Sequence, residues 1–134
     1  MSARVICCGS RGWNDRQAVQ DALCDVALEL GTDITIVVGY DAEKDRPRGA
    51  DRLIYQEAQK HGLRIETHPA DWEGYTRADY ERFGHKGAGR KRNQEMADGG
   101  AELCLSFWDG SSGGTNDMMQ RARKAGIEVR RIHG

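Results

Sequence analysis

Three short stretches of this chain, residues 4–8 (RVICC), 34–38 (ITIVV) and 103–108 (LCLSFW), are apolar at almost every position, so a strand built from any of them is apolar on both faces. Strands of that kind belong in the middle of a sheet that helices cover on each side. Residues 63–68 (LRIETH) and 127–132 (IEVRRI) instead alternate apolar with polar side chains, as half-exposed edge strands do. Between these segments the apolar period lengthens to that of a helix. Val19, Leu23, Val26, Ala27 and Leu30 follow a candidate N-cap at Asn14 and stop at Gly31; Ala50, Leu53, Ile54 and Ala58 stop at Gly62. A third helix is expected over residues 91–97, and the stripe Met118, Met119, Ala122, Ala125 marks a last one. Residues 69–89 read as irregular, rich in glycine, tyrosine and charge. Strands separated by helices demand parallel crossovers, which gives an α/β sandwich with a five-stranded parallel sheet between helical layers. With the two-faced strands central and the alternating ones at the edges, the expected order is 3-2-1-4-5.

A single domain over residues 1–134 accommodates this plan, because 134 residues with 38% hydrophobic content suffice for one buried core and crowd two. The formal net charge of −1 supplies no global attraction to nucleic acid or to an anionic membrane, so anion binding must rest on a local patch. The N-terminal MSARVICCGSRG lacks the apolar core of a secretion signal, and no apolar run nears the roughly 20 residues that span a bilayer. A cytoplasmic protein without a membrane partner is expected. Cys7, Cys8, Cys24 and Cys104 form no CxxC pair and three lie in apolar runs, so buried reduced thiols are expected, with no metal site and no cofactor.

In a sheet of this order the strand sequence reverses between strands 1 and 4, and ligands bind in the crevice beyond their carboxyl ends. The loops that reach it are residues 9–13 (GSRGW) and 109–115 (DGSSGGT). Six small residues in the second loop let backbone N–H groups close on an anion at the start of the last helix, with phosphate the expected ligand group. Gly9, Ser10 and Arg11 are therefore candidate ligand-binding residues on one side, and Gly110, Ser111, Ser112, Gly113, Gly114 and Thr115 on the other. Tight turns also need glycine, so either loop alone is a weak signal, and their joint position is the stronger one. Neither loop is a Walker A motif or reads GxGxxG, which counts against nucleoside-triphosphate hydrolysis and ordinary dinucleotide redox chemistry.

The stretches VICCGSRGWND, RGADRLIYQEAQKHG, ADW, RKRNQEM and GSSGGTNDM, in that order, resemble the SLOG superfamily, most closely its small YpsA-related branch. The resemblance covers nearly the whole chain. It implies a Rossmann-like three-layer fold that binds nucleotides or nucleotide-derived ligands, and, since relatives commonly assemble, a homo-oligomer with a dimer the expected form. Enzymes of the superfamily, the cytokinin-activating phosphoribohydrolases, cleave the N-glycosidic bond of nucleoside 5′-monophosphates with a PGGxGTxxE motif. Gly114 and Thr115 match that motif, Ser111 and Ser112 replace two glycines, Gly110 replaces proline, and Met118 stands where the catalytic glutamate belongs. A thioether can neither accept a proton nor stabilise an oxocarbenium-like centre as a carboxylate does. Asp117 is adjacent but about 100° further round the helix. The RKxxM element of the hydrolases corresponds to Arg92, Asn93 and Met96, which keeps the arginine and loses the lysine.

Two readings follow. The first is a binding module for a phosphorylated nucleotide-derived small molecule, with catalysis weak or absent. The alternative is a nucleotide N-glycosidase in which Asp117 or Asp51 replaces the missing glutamate as the catalytic carboxylate. Single-stranded DNA binding ranks third, since the net charge is near neutral and few aromatic residues are placed for stacking, so nucleic acid is not the expected partner. Arg11 offers a guanidinium to fork onto phosphate or is a solvated loop charge, with the first favoured by its neighbours. Asp51 either caps its helix or holds a ligand hydroxyl. Arg82, His85, Lys86, Arg90, Lys91 and Arg92, with Tyr75, Tyr80 and Phe83, form either a mobile lid or a solvated basic loop. Trp13 reads as core, and Trp72 has no role derivable from sequence. The insert at residues 41–47 (DAEKDRP) interrupts a loop that is short in the relatives and puts the second strand's contribution to the site in question.

Overall fold

The computed structural model describes residues 3–45, 48–85 and 87–133. Five strands, β1 (Ala3–Gly9), β2 (Ile34–Val38), β3 (Arg64–Thr67), β4 (Leu103–Phe107) and β5 (Glu128–Ile132), form one sheet of order β3-β2-β1-β4-β5. Every neighbouring pair is parallel, and β1 sits at the centre with Val5 opposite Ile36 on one side and Leu103 on the other. The helices are α1 (Arg16–Leu30), α2 (Ala50–Lys60), α3 (Arg77–Phe83), α4 (Ala88–Asp98) and α5 (Gly113–Lys124). This is the Rossmann-like α/β arrangement and the strand order expected from sequence. No helix among the described residues is long and apolar enough to cross a membrane.

The two-residue strand period sorts the core into two halves. Val5 and Cys7 of β1, with Ile34, Ile36 and Val38 of β2, pack under Val19, Leu23 and Val26 of α1 and Ile54 and Ala58 of α2. Ile6, Cys8 and Cys104 point the other way, against Met96 and Ala97 of α4 and Met118 and Ala122 of α5. The central strands are thus buried on both faces, while β3 and β5 keep exposed positions. Cys7, Cys8 and Cys104 are buried free thiols, and Cys24 is exposed.

Three local expectations change. The N-cap of α1 is Asp15, whose carboxylate accepts from the Ala18 N–H at 3.1 Å; Asn14 stands one residue too early for that three-residue reach. The helix expected over 91–97 starts at Ala88. The stretch read as irregular contains α3, opened by a capping box in which Thr76 Oγ1 accepts from Asp79 N–H and the Asp79 carboxylate accepts from Thr76 N–H. Only Phe83 of α3 is buried, so no apolar stripe announced it. The insert folds back: Asp41 accepts from the N–H groups of Glu43 and Lys44, and Asp45 pairs with Arg52 of α2 at 3.0 Å. Arg46 and Pro47 of the insert lie outside the described residues, as does Lys86.

Candidate functional site

A crevice of about 1020 Å³ opens beyond the carboxyl ends of β1, β2 and β4. Its first wall depends on how α2 meets β1. Gly9 ends β1 with no room for a side chain, since a Cβ there would overlap Ala50 and stand 2.7 Å from the Phe107 carbonyl. Gly49 precedes α2 at φ +79°, against the backbone of Arg11, and Ala50 donates its N–H to the Ser10 carbonyl at 3.1 Å. The first turn of α2 is therefore seated on the β1 loop by backbone contact, which requires small residues at 9, 49 and 50. That seat turns Asp51 into the crevice. Gly9 lines the crevice too, yet packing alone accounts for its being glycine.

Asp51 is 9% exposed, and its Oδ1 has no hydrogen-bond partner. It does not cap α2, whose N-cap is Gly49. Desolvation raises its pKa from 3.8 to about 6, against the opposing pull of the Arg92 and Arg11 guanidinium groups. A buried polar atom left unpaired costs about 1–3 kcal/mol, more if charged.

The second wall is the loop from β4 to α5. Asp109 occupies it: its Oδ1 accepts from Ser111 N–H at 2.9 Å, Ser111 Oγ at 3.0 Å and Ser112 N–H at 3.1 Å. Those bonds, led by the Ser111 N–H, hold the Asp109 pKa below its usual range. Ser112 caps α5, accepting from Thr115 N–H at 3.4 Å. Within the first turn of α5, Gly113 and Gly114 are left with N–H groups that have no intrahelical acceptor, and both line the crevice. Space around both is open, with nothing within 4 Å of an added Cβ. The cradle expected from Gly110 to Thr115 thus contracts. Ser112 and Thr115 line the crevice through side chains already spent on the cap, and Gly110 and Ser111 sit on the outer turn, away from it. Ser10 is fully buried, and its hydroxyl accepts from Asp109 N–H at 3.0 Å, so it ties the two loops together.

Arg92 reaches across the sheet ends, donating to the Gly39 carbonyl at 2.8 Å, the His68 carbonyl at 3.2 Å and Asn93 Oδ1 at 2.9 Å. A side chain on Gly39 would occupy its guanidinium. Asn93 in turn donates to the Gly114 carbonyl at 3.3 Å and Asp117 Oδ2 at 3.0 Å, and Asp117 also accepts from Arg121 Nε at 2.8 Å. Asp117 Oδ2 is therefore engaged in joining α4 to α5, which leaves that oxygen poorly placed as a base. Met118 is buried against Ile6, Cys8 and Met96. Cys8 lies on the crevice floor with its thiol pushed well up by its hydrogen bond with Cys104 and by burial, so it is no thiolate nucleophile.

Six arginines line the crevice: Arg11, Arg48, Arg82, Arg90, Arg92 and Arg121. Three aspartates, Asp51, Asp109 and Asp117, oppose them, so the local balance is positive in a chain of net charge −1. Among the described residues, no carboxylate forms a salt bridge with Arg11, Arg48 or Arg82. Sequence reasoning missed Arg48 and Arg121, although one immediately precedes the GAD stretch and the other lies one turn after Asp117. The basic segment is less open than a bare loop. Lys91 pairs with Asp79 at 2.9 Å, Arg90 donates to the Phe83 carbonyl at 3.2 Å, and Tyr75 Oη donates to the Gly84 carbonyl at 2.6 Å. Trp13 packs edge-on to Phe107 in the core, as expected, whereas Trp72 is 55% exposed at the crevice mouth.

Fold and crevice together define a Rossmann-like protein with a basic switch-point site. The chain matches the profile of the YspA, cpYpsA-related SLOG family over residues 3–75, and it belongs to that family. The Gene 61 protein of Mycobacterium phage D29 is 38% identical over 131 residues, covering 94% of this chain and 93% of that protein. Among solved structures, the C-terminal domain of a hydrogenase from Pyrococcus furiosus shares the fold with a TM-score of 0.53 at 12% identity, over 97% of this chain and 90% of that one.

Proposed function

We propose that this protein binds a phosphorylated nucleotide or nucleotide-derived small molecule in the crevice, with little or no catalysis. One observation carries the reading: the open N–H groups of Gly113 and Gly114 at the start of α5 share a crevice with Arg11, Arg48 and Arg82, which have no carboxylate partners among the described residues. A helix N-terminus and unpaired guanidinium groups converge on the chemistry of a phosphate. Family membership supports a nucleotide-related role. For hydrolysis of an N-glycosidic bond, Met118 is packed in the core where the family glutamate belongs and Asp117 is held by Asn93 and Arg121, so of the candidate carboxylates Asp51 alone is left to serve that alternative.

Gly114→Val tests the site. An added Cβ meets nothing in the fold within 4 Å, so stability should change by less than about 0.5 kcal/mol. Affinity for inorganic pyrophosphate and for ADP, measured by calorimetry, should fall at least about tenfold, as expected when a branched side chain keeps a charged group from hydrogen-bonding the backbone N–H. Wild-type affinity in that variant would remove the assignment. Rapid release of free base from nucleoside monophosphates, followed by chromatography, would replace binding with hydrolysis.

A further inference from the structure

Among the described residues, Asp51 is the one crevice carboxylate with a buried oxygen that has no hydrogen-bond partner. Asp109 Oδ1 accepts from Ser111 and Ser112, and Asp117 Oδ2 from Asn93 and Arg121. Asp51 is nine-tenths buried and faces the crevice, its Oδ1 has no partner, and no side chain or backbone group among the described residues donates to its Oδ2. We infer that Asp51 accepts hydrogen bonds from two adjacent hydroxyls on the sugar of the phosphorylated ligand. This rests on the binding reading above and adds which part of the ligand is recognised, and where.

The surroundings select the donor. Arg11 and Arg92 stand close enough to act on the Asp51 charge, and Arg48 lines the same crevice. A cationic ligand group arriving at Asp51 would be repelled by these guanidinium groups, and so would a metal ion; no cluster of metal-binding side chains occurs among the described residues. A neutral donor meets no such repulsion. Two hydroxyls on neighbouring carbons present two donors to the two oxygens of one carboxylate, as ribose does and 2-deoxyribose does not. α2 and α5 belong to opposite helical layers, so the hydroxyls and the phosphate are held from opposite sides of the sheet end. A site with a buried acceptor rejects an analogue that lacks the donor, because the acceptor is then buried unpaired a second time.

Sugar phosphates without a base isolate this contact. Ribose 5-phosphate, 2-deoxyribose 5-phosphate and inorganic phosphate are titrated at pH 7.5 against the full chain, with the amide resonances of Gly113 and Gly114 followed by nuclear magnetic resonance. Wild-type protein should bind ribose 5-phosphate about tenfold more tightly than the deoxy sugar, the worth of one hydrogen bond to a charged group. Asp51→Ala should bring that ratio near one, and Asp51→Asn, which keeps a single acceptor oxygen, should fall between. Inorganic phosphate should bind both variants at least as tightly as wild type, since a negative charge has left the crevice. Equal wild-type affinity for the two sugars, or an unchanged ratio in Asp51→Ala, overturns the assignment of Asp51 while phosphate shifts at Gly113 and Gly114 leave the binding site standing. If none of the three probes moves those resonances, the binding site and the role of Asp51 fall together.

Discussion

The N-termini of α2 and α5 face the same crevice and are finished in opposite ways. α5 is closed by side chains: Ser112 caps it, and Asp109 absorbs the N–H groups of the loop before it, leaving two N–H groups open. α2 has no side-chain cap; backbone contact seats it on the β1 loop, and it carries a buried carboxylate with an unpartnered oxygen. The glycine-rich loop that stands out in the sequence is largely self-satisfied, and the plain RGAD stretch holds the unmet hydrogen-bonding demand. Glycine richness reports where a backbone must bend or be approached. It does not report which groups are left for a ligand.

Removing the seat of α2 should have the largest effect. Gly9→Val drives a branched side chain into Ala50 and the Phe107 carbonyl, and should lower stability to urea by about 3 kcal/mol, the upper range of overpacking costs. A loss below about 1 kcal/mol would mean that α2 is not held by that contact.

Next comes the carboxylate itself. Because the folded-state pKa of Asp51 lies above its unfolded value of 3.8, at about 6, the protonated form favours folding and ionisation opposes it. The wild-type chain should therefore match Asp51→Asn in stability below about pH 4 and fall behind as pH rises from 4 to 6, with a constant deficit approaching about 3 kcal/mol above that. Thermal melts of both proteins across that range check this. A pH-independent difference would show that Asp51 is ordinarily solvated.

The smallest effect belongs to α5. Ser112→Ala removes the cap and should cost about 1 kcal/mol at any pH from 5 to 8, read from the urea midpoint. A loss as large as that of Gly9→Val would erase the contrast between a side-chain cap and a backbone seat.

The strand order was legible because its determinants are local: β1, β2 and β4 are apolar at consecutive positions, and β3 and β5 alternate. α3 was not, because a helix that buries only Phe83 writes no period. At the site, the two loops could be placed from the strand order alone. What could not be read was how groups distant in sequence spend one another's hydrogen bonds. Ser10 and Asp109, 99 residues apart, consume each other, and Gly39 is glycine because Arg92, 53 residues on, fills its space. Arg48 and Arg121 look like ordinary surface charges until the sheet brings α2 and α5 to one crevice.

The central position of β1 has a consequence in time. On one side it pairs with β2, which follows within the first 38 residues; on the other it pairs with β4, which ends at Phe107. At a synthesis rate of roughly 5–20 residues per second, about 2–8 s separate the emergence of β3 at Thr67 from that of the last residue of β4. During that interval β1 presents an unpaired edge, and Ile6 and Cys8 lack the α4 and α5 side chains that later cover them. The half of the crevice built from β1 and α2 is thus born first, and waits on the ribosome for the half that holds the loop from β4 to α5.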